Sequence, residues 1–288
     1  MKISVFGMGL MGAPIAMKLA QSRFSVTVYN RTAEKLEPFK KLGLGTTSVA
    51  NEAIAASDYL LLTLSDFSAI NAVLFSGTSS DLIGKTIIQM GTIAPKESKI
   101  LEKKITELGG QYLEAPVLGS IPQAKSGTLL VMAGGTEMLF SECLPILQVL
   151  GETPTYIGKI GSAAALKLAL NQLIASLTAG FSLSLGLIQR EGVDLEKFMT
   201  ILRASALYAP TFDKKLQRMG DRQFENPNFP TKHLLKDTNL FLQAAEDAEL
   251  NAGGLIGIRN IIEQAIANQL AELDYSAIFE IIAPATEP

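Results

Sequence analysis

Lys2-Ile-Ser-Val-Phe6-Gly7-Met8-Gly9-Leu10-Met11-Gly12-Ala13-Pro14-Ile-Ala-Met-Lys-Leu19-Ala20 is the stretch that decides the fold. Residues 2–6 read as a β-type run, and residues 13–20 read as a helix. Between them stands G-x-G-x-x-G, in the strand-before, helix-after context that gives the pattern its meaning. Gly7 permits a tight turn, Gly9 lets a backbone approach a pyrophosphate, and Gly12 lets the helix pack close to the sheet. The helix N-terminus offers N–H donors and partial positive charge to phosphates, with Met8, Leu10 and Met11 supplying backbone between the glycines. Pro14 costs little in a first turn. The stretch predicts a dinucleotide site at the head of an α/β domain.

The next β-type run, Ser25-Val-Thr-Val-Tyr29, ends in Asn30-Arg31-Thr32. A carboxylate ordinarily stands here to hold the ribose 2′-hydroxyl of NAD. With Asn30 in its place, nothing repels a 2′-phosphate; Arg31 offers a planar fork of donors and Thr32 a hydroxyl. The residues argue for NADP, as NADPH, over NAD. The competing reading of Arg31 is a solvated arginine in a turn.

Further strand types follow at 59–64, 86–90 and 111–114, with helix-like segments at 33–42, 67–74 and 96–108 between them. Strands alternating with helices predict a parallel sheet covered on both faces. Ligands of such sheets sit beyond the C-terminal strand ends. Ser65, Thr92 and Pro116 occupy such ends, so Ser65 and Thr92 are candidate neighbours of the nicotinamide; plain helix capping competes. The stretch Glu114-Ala-Pro-Val117-Leu118-Gly119-Ser120 opens a Pro- and Gly-rich segment that reads as a loop, after which a strand resumes. Its backbone N–H groups could hold a substrate carboxylate, or it could be a plain connection.

Gly158-Lys-Ile-Gly161-Ser-Ala-Ala-Ala-Leu-Lys167-Leu-Ala-Leu-Asn171 opens a long helix with no Asp, Glu, Lys or Arg from 168 to 189. Lys167 and Asn171 are four apart, so they share one helical face. A lysine between Leu166 and Leu168 gives up its proton more readily as it is desolvated, and Asn171 can hold a carbonyl or hydroxyl beside it. That is the outline of a proton donor with a positioning partner. The alternative is a lysine that snorkels to water. Beyond residue 190 the pattern is helical at 195–206, 209–219, from 231, 255–270 and 276–282. The expected domains are therefore 1–161, α/β, and 162–288, all-helical. Lys232 and Lys236, four apart, read from the residues as a solvated face, and His233 as packing.

At 288 residues the chain accommodates two domains, and 48% hydrophobic content supplies their cores. A net charge of −3 with no basic run excludes nucleic acid as an expected partner. The uncharged run at 168–189 is long enough to span a membrane but carries Asn171, Gln172, Ser176, Thr178, Ser182 and Ser184; a helix buried between domains or subunits fits better. The single Cys143 allows no intrachain disulfide and reads as a core residue, and the single His233 leaves no His-rich metal site. Met1 leads straight into a strand, with no signal-peptide pattern, so the reading expects a cytoplasmic protein with no membrane partner.

Taken together, segments 7–19, 114–135, 158–171 and 232–237 resemble the β-hydroxyacid dehydrogenase family along essentially the whole chain. The likeness is strongest to its glyoxylate/succinic semialdehyde reductase branch, with 3-hydroxyisobutyrate dehydrogenase and tartronate semialdehyde reductase as relatives. The resemblance implies a Rossmann-type N-terminal domain joined by a long helix to an all-α C-terminal domain, assembled as homodimers or homotetramers. It implies that Lys167 is the catalytic acid/base and that Asn171 binds substrate beside it. Thr92 would lie near nicotinamide and substrate, Lys236 would contact the cofactor, and Asp237 and Phe229 would belong to the substrate pocket. The family loop usually reads Asp-Ala-Pro-Val-Ser-Gly-Gly. Here Leu118 replaces a serine that touches substrate, so that hydrogen bond is missing unless Ser120 supplies it, and the substrate is left open. Imine reductases share the fold but replace the lysine that is present here as Lys167. The expected function is NADPH-dependent reduction of a small aldehyde acid, glyoxylate or succinic semialdehyde. Two alternatives stand: a 3-hydroxyisobutyrate or tartronate semialdehyde enzyme, and a non-catalytic NADP-binding regulator.

Overall fold

The computed structural model describes residues 1–75 and 82–285. The chain forms two compact units, Met1–Lys167 and Leu168–Pro288.

Among the described residues the first unit is built on a nine-stranded sheet. Strand β1 (Lys2–Phe6) is an interior strand, flanked by β2 (Ser25–Tyr29) on one side and β4 (Tyr59–Leu62) on the other, both parallel to it. β3 (Gly45–Thr47) extends the sheet beyond β2. β5 (Thr86–Gln89) and β6 (Gln111–Glu114) extend it in parallel beyond β4. The order β3-β2-β1-β4-β5-β6 reverses direction at β1. In open α/β sheets, that reversal opens the crevice in which ligands bind. β8 (Leu130–Gly134) closes the sheet antiparallel to β6, with β7 (Val117–Leu118) and β9 (Thr155–Gly158) paired to it.

Both faces of the sheet are covered, as near-continuous apolar strands require. Ile3, Val5, Val28, Leu61 and Ile88 face one buried cluster; Phe6, Leu60, Leu62 and Ile87 face the other. Ser4 is the polar exception within β1. It is fully buried, and its hydroxyl lies 2.7 Å from the Ala53 carbonyl and 2.9 Å from Ser57 Oγ, which satisfies it.

The helices of this unit are α1 (Gly12–Ala20), α2 (Glu37–Lys41), α3 (Ala50–Ala56), α4 (Phe67–Phe75), α5 (Pro95–Glu107), α6 (Ile121–Ser126) and α7 (Glu137–Leu150). The expected loop after Glu114 in fact contains β7 and α6. Gln123 starts α6 by accepting the Ser120 N–H at 3.0 Å and the Ser120 hydroxyl at 2.8 Å.

The described part of the second unit is helical. α8 (Ser162–Arg190) runs into it and is followed by α9 (Leu195–Ala204), α10 (Pro210–Gly220), α11 (Thr231–Asp247), α12 (Gly253–Ala267) and α13 (Phe279–Ile282). Phe181 and Leu185 of α8 pack with Phe212, Met219 and Phe279, while Ala175 and Ala179 pack with Leu234, Ile262 and Tyr275. A buried ion pair ties α10 to the turn before α13: Lys215 Nζ lies 2.8 and 2.9 Å from the two oxygens of Asp274. Asp274 is fully buried and also accepts from the Ser276 N–H and hydroxyl, so its charge is answered on several sides. By length and composition, α8 is the one helix among the described residues that could cross a membrane.

Candidate active site

The glycine turn follows β1. Gly7 has φ +99° and gives its N–H to the Tyr29 carbonyl at 3.0 Å, which only glycine does without strain. A Cβ on Gly12 would collide with the Gly7 carbonyl and with Thr63 Oγ1, so the helix must approach this closely and no side chain fits. Thr63 is a residue the sequence reading missed. Its hydroxyl lies 2.9 Å from the Phe6 carbonyl and 2.8 Å from that of Gly7, and it clamps the turn from the end of β4.

Gly9 is different. Its φ is not in the left-handed region, and a Cβ there would meet nothing within 4 Å. Neither strain nor packing within the protein calls for glycine, so the open space in front of it is what a closely approaching ligand would use. α1 has no side-chain cap and no acidic residue in its first turn, which leaves the helix end suited to an anion. These features fit the diphosphate of a dinucleotide.

Asn30 does more than leave out a carboxylate. Its Oδ1 accepts the Met8 N–H at 2.9 Å and its Nδ2 donates to the Thr32 carbonyl at 2.9 Å, so it braces the glycine turn against the end of β2. Met8 is buried in an apolar cluster, while Leu10 is exposed and Met11 partly so. Arg31 and Thr32 are exposed. Ser65 gives its hydroxyl to Asp66 at 2.7 Å, and Asp66 caps α4 by accepting the Ala69 N–H at 2.8 Å. Thr92 lies past the end of β5, two residues before Ala94, the N-cap residue of α5. Val117 is buried and Leu118 half-buried in β7; Gly119 (φ +135°) and Ser120 make the turn into α6. Cys143 is fully buried and burial pushes its thiol up to about 12, so it is an inert core residue.

Lys167 is half-buried on α8. One helical turn further on, Asn171 is buried at 3% exposure, and its Nδ2 donates to Asp237 Oδ2 at 2.6 Å. A carboxylate only accepts, so this bond fixes which end of the amide faces α11. Among the described residues the buried Asn171 Oδ1 has no hydrogen-bond partner, and it is an acceptor that calls for a donor. Asp237 is itself buried, and its other oxygen lies 3.0 Å from Lys236 Nζ. The structure thus brings Asn171, Lys236 and Asp237 together. Lys232, one turn earlier on α11, instead pairs its ammonium with Glu272 at 2.6 Å on the surface. Phe229 stacks on His233 with ring centroids 6.2 Å apart and meets Tyr275 edge-on at 5.8 Å. Burial, then the Lys236 ammonium, hold the His233 imidazole below its usual range, so it is neutral at pH 7.

Two family descriptions match the chain in tandem. Residues 2–158 match the NAD-binding domain of 6-phosphogluconate dehydrogenase, and residues 161–282 match the NAD-binding region of NADP-dependent 3-hydroxyisobutyrate dehydrogenase. The chain is 31% identical to glyoxylate/succinic semialdehyde reductase 1 of Arabidopsis thaliana, covering 98% of both chains. It is 33% identical to 2-hydroxy-3-oxopropionate reductase of Escherichia coli, covering 98% of this chain and 97% of that one. In fold it is similar to a 3-hydroxyisobutyrate dehydrogenase from Salmonella typhimurium, with a TM-score of 0.86 at 21% identity over 97% of this chain and 99% of that one.

Proposed function

The chain belongs to the β-hydroxyacid dehydrogenase family of NAD(P)-dependent enzymes, and from that premise we propose that it reduces a small aldehyde acid, glyoxylate or succinic semialdehyde, with NADPH. The observation that carries the reading is on α8: Lys167 stands one turn before an asparagine whose amide is locked by a buried carboxylate and whose oxygen still needs a donor.

When bound, the nicotinamide cofactor supplies hydride for the carbonyl carbon. The chain's own residues manage the proton and the orientation. Lys167 gives a proton to the carbonyl oxygen as it becomes a hydroxyl, a contribution of about 10²–10⁴-fold. Asn171 Oδ1 accepts from the new hydroxyl or from the lysine ammonium, and Asp237 keeps the amide from flipping. Val117, Leu118, Gly119 and Ser120 are assigned to the substrate carboxylate. Ser120 already gives its N–H and hydroxyl to Gln123, so a carboxylate there competes with an amide oxygen for them. Gly7, Met8, Gly9, Leu10, Met11 and Gly12 are assigned to the diphosphate, Arg31 and Thr32 to the 2′-phosphate, and Ser65, Thr92 and Lys236 to the rest of the cofactor. Phe229 is assigned to the substrate pocket.

The proposal includes self-association. Ala169, Leu173, Gly180, Leu183 and Leu187 are exposed on α8 at spacings of three, four and seven, an uncharged face that a second copy of the chain would cover. The buried Asn171, Thr178 and Ser182 on the opposite side suit a helix covered by protein rather than lipid. A cytoplasmic location completes the reading.

Initial rates with glyoxylate, succinic semialdehyde, tartronate semialdehyde and 3-hydroxyisobutyrate, each with the NADP and the NAD form of the cofactor, test it. NADPH with one of the first two substrates is expected to give the highest kcat/KM. Arg31→Ala is expected to weaken NADPH by about 10–100-fold, the value of a hydrogen bond to a charged group, and to leave NADH nearly unchanged. Equal loss for both would remove Arg31 from the phosphate. Preference for NAD with 3-hydroxyisobutyrate would favour the runner-up enzyme.

A further inference from the structure

Glu114 ends β6 and is buried at 2% exposure. Its Oε1 accepts from the Gly161 N–H at 2.9 Å, the Ala163 N–H at 2.8 Å and, more weakly, the Ala164 N–H at 3.4 Å. These are the N–H groups of the residue just before α8 and of two residues in its first turn, reached from 47–50 residues earlier in the chain. Its Oε2 accepts the Ser98 hydroxyl at 2.5 Å, and Ser98 Oγ lies 3.0 Å from the Tyr112 hydroxyl. Each hydroxyl has one hydrogen. Ser98 spends its own on Glu114, so Tyr112 donates to Ser98, and burial, by pushing the phenol far above its usual range, keeps that hydrogen in place.

The surrounding backbone is shaped for this carboxylate. Gly134 is its partner in the β6–β8 ladder, and a Cβ there would collide with Oε1 and lie 2.9 Å from Cγ. Gly161, the first donor, has φ +96°. The glycines of Ala133-Gly134-Gly135 and Gly158-Lys-Ile-Gly161 are thus explained in part by a group far away in sequence.

Lys167 stands four residues after Ala163 and three after Ala164, on the helical face directly above the capped N–H groups. An uncapped first turn leaves orphan donors and frays. The same turn carries partial positive charge, unfavourable to a cation one turn on. We propose that Glu114 is the positioning residue for Lys167: its carboxylate fixes the first turn of α8 and offsets the positive charge there, so that the lysine is held in one place. The inference rests on Lys167 being the proton donor. Misplacement of a reacting group by about 1 Å costs on the order of 10²-fold in rate.

Glu114→Gln keeps the shape and one acceptor oxygen but loses the charge. The test is a double-mutant cycle of single-turnover reduction rates at saturating NADPH, using wild type, Glu114→Gln, Lys167→Ala and the double variant. Glu114→Gln is expected to slow reduction by about 10–100-fold, with the Kd for NADPH and the KM for the aldehyde within about twofold of wild type. In the Lys167→Ala background, the same change is expected to move the residual rate by less than about twofold. Ser98→Ala removes one donor to Oε2, leaves the helix contacts, and is expected to act in the same direction by about 3–10-fold; it takes the place of Glu114→Gln in the cycle if that variant does not fold. Equal slowing in both backgrounds, or no slowing beside an intact Lys167, would overturn the inference. A wild-type rate in Lys167→Ala alone would instead remove the proton-donor reading beneath it.

Discussion

A Cβ added at Gly9 meets open space, and one added at Gly12 meets the Gly7 carbonyl. The two glycines of one motif therefore answer to different demands, one from a ligand and one from the fold. Gly9→Ala is expected to raise the Kd for NADPH by about tenfold or more while changing the free energy of urea unfolding by less than about 0.5 kcal/mol. Gly12→Ala is expected to cost about 1–3 kcal/mol of stability through overpacking. Titration by cofactor fluorescence and a denaturation curve for each variant check this; the opposite pattern would mean Gly9 serves the fold. The motif itself was legible because its three glycines are contiguous with the strand and helix that use them. The residues that brace it were not. Asn30 reads in sequence as a missing carboxylate, whereas its amide holds the Met8 N–H. Thr63 and Glu114 act on backbone 47–57 residues away, a relation that no local spacing announces.

α8 could be read from its composition, and its length and start agree with the expectation. Its neighbours were harder. α7 carries Pro145 within the helix, which masks the spacing of Leu139, Cys143, Ile146 and Leu150, although Thr136 caps it by accepting the Leu139 N–H at 3.2 Å. α6 is six residues long, and its one clear signal was Ser120 followed by Gln123 three positions later. β3 and β7 are too short for any alternation to show. The exposed apolar face of α8 carries a prediction of its own. Leu183 and Leu187 are 66% and 61% exposed in the single chain. Leu183→Glu is expected to shift the protein in analytical ultracentrifugation from dimer or larger to monomer, since burying an unpaired carboxylate costs more than the contact provides. A wild-type protein that sediments as a monomer would contradict a second copy on this face.

Across the whole molecule, an α/β unit with a parallel-dominated sheet precedes a helical unit, as alternating strand and helix patterns followed by uninterrupted helical patterns require. Each unit has its own apolar clusters, and the second adds the buried Lys215–Asp274 pair. Glycine turn, lysine and buried asparagine were all marked in the sequence by residue type and spacing. The bonds that orient them, from Glu114 and Asp237, became visible only when chain segments distant in sequence were brought together. The proposed reduction depends on Lys167 giving the proton. Rapid mixing of the Lys167→Ala enzyme, saturated with NADPH, against glyoxylate or succinic semialdehyde measures that step directly. The expected single-turnover rate is about 10²–10⁴-fold below wild type with NADPH affinity preserved; a rate within about threefold of wild type would contradict the proton-donor role of Lys167.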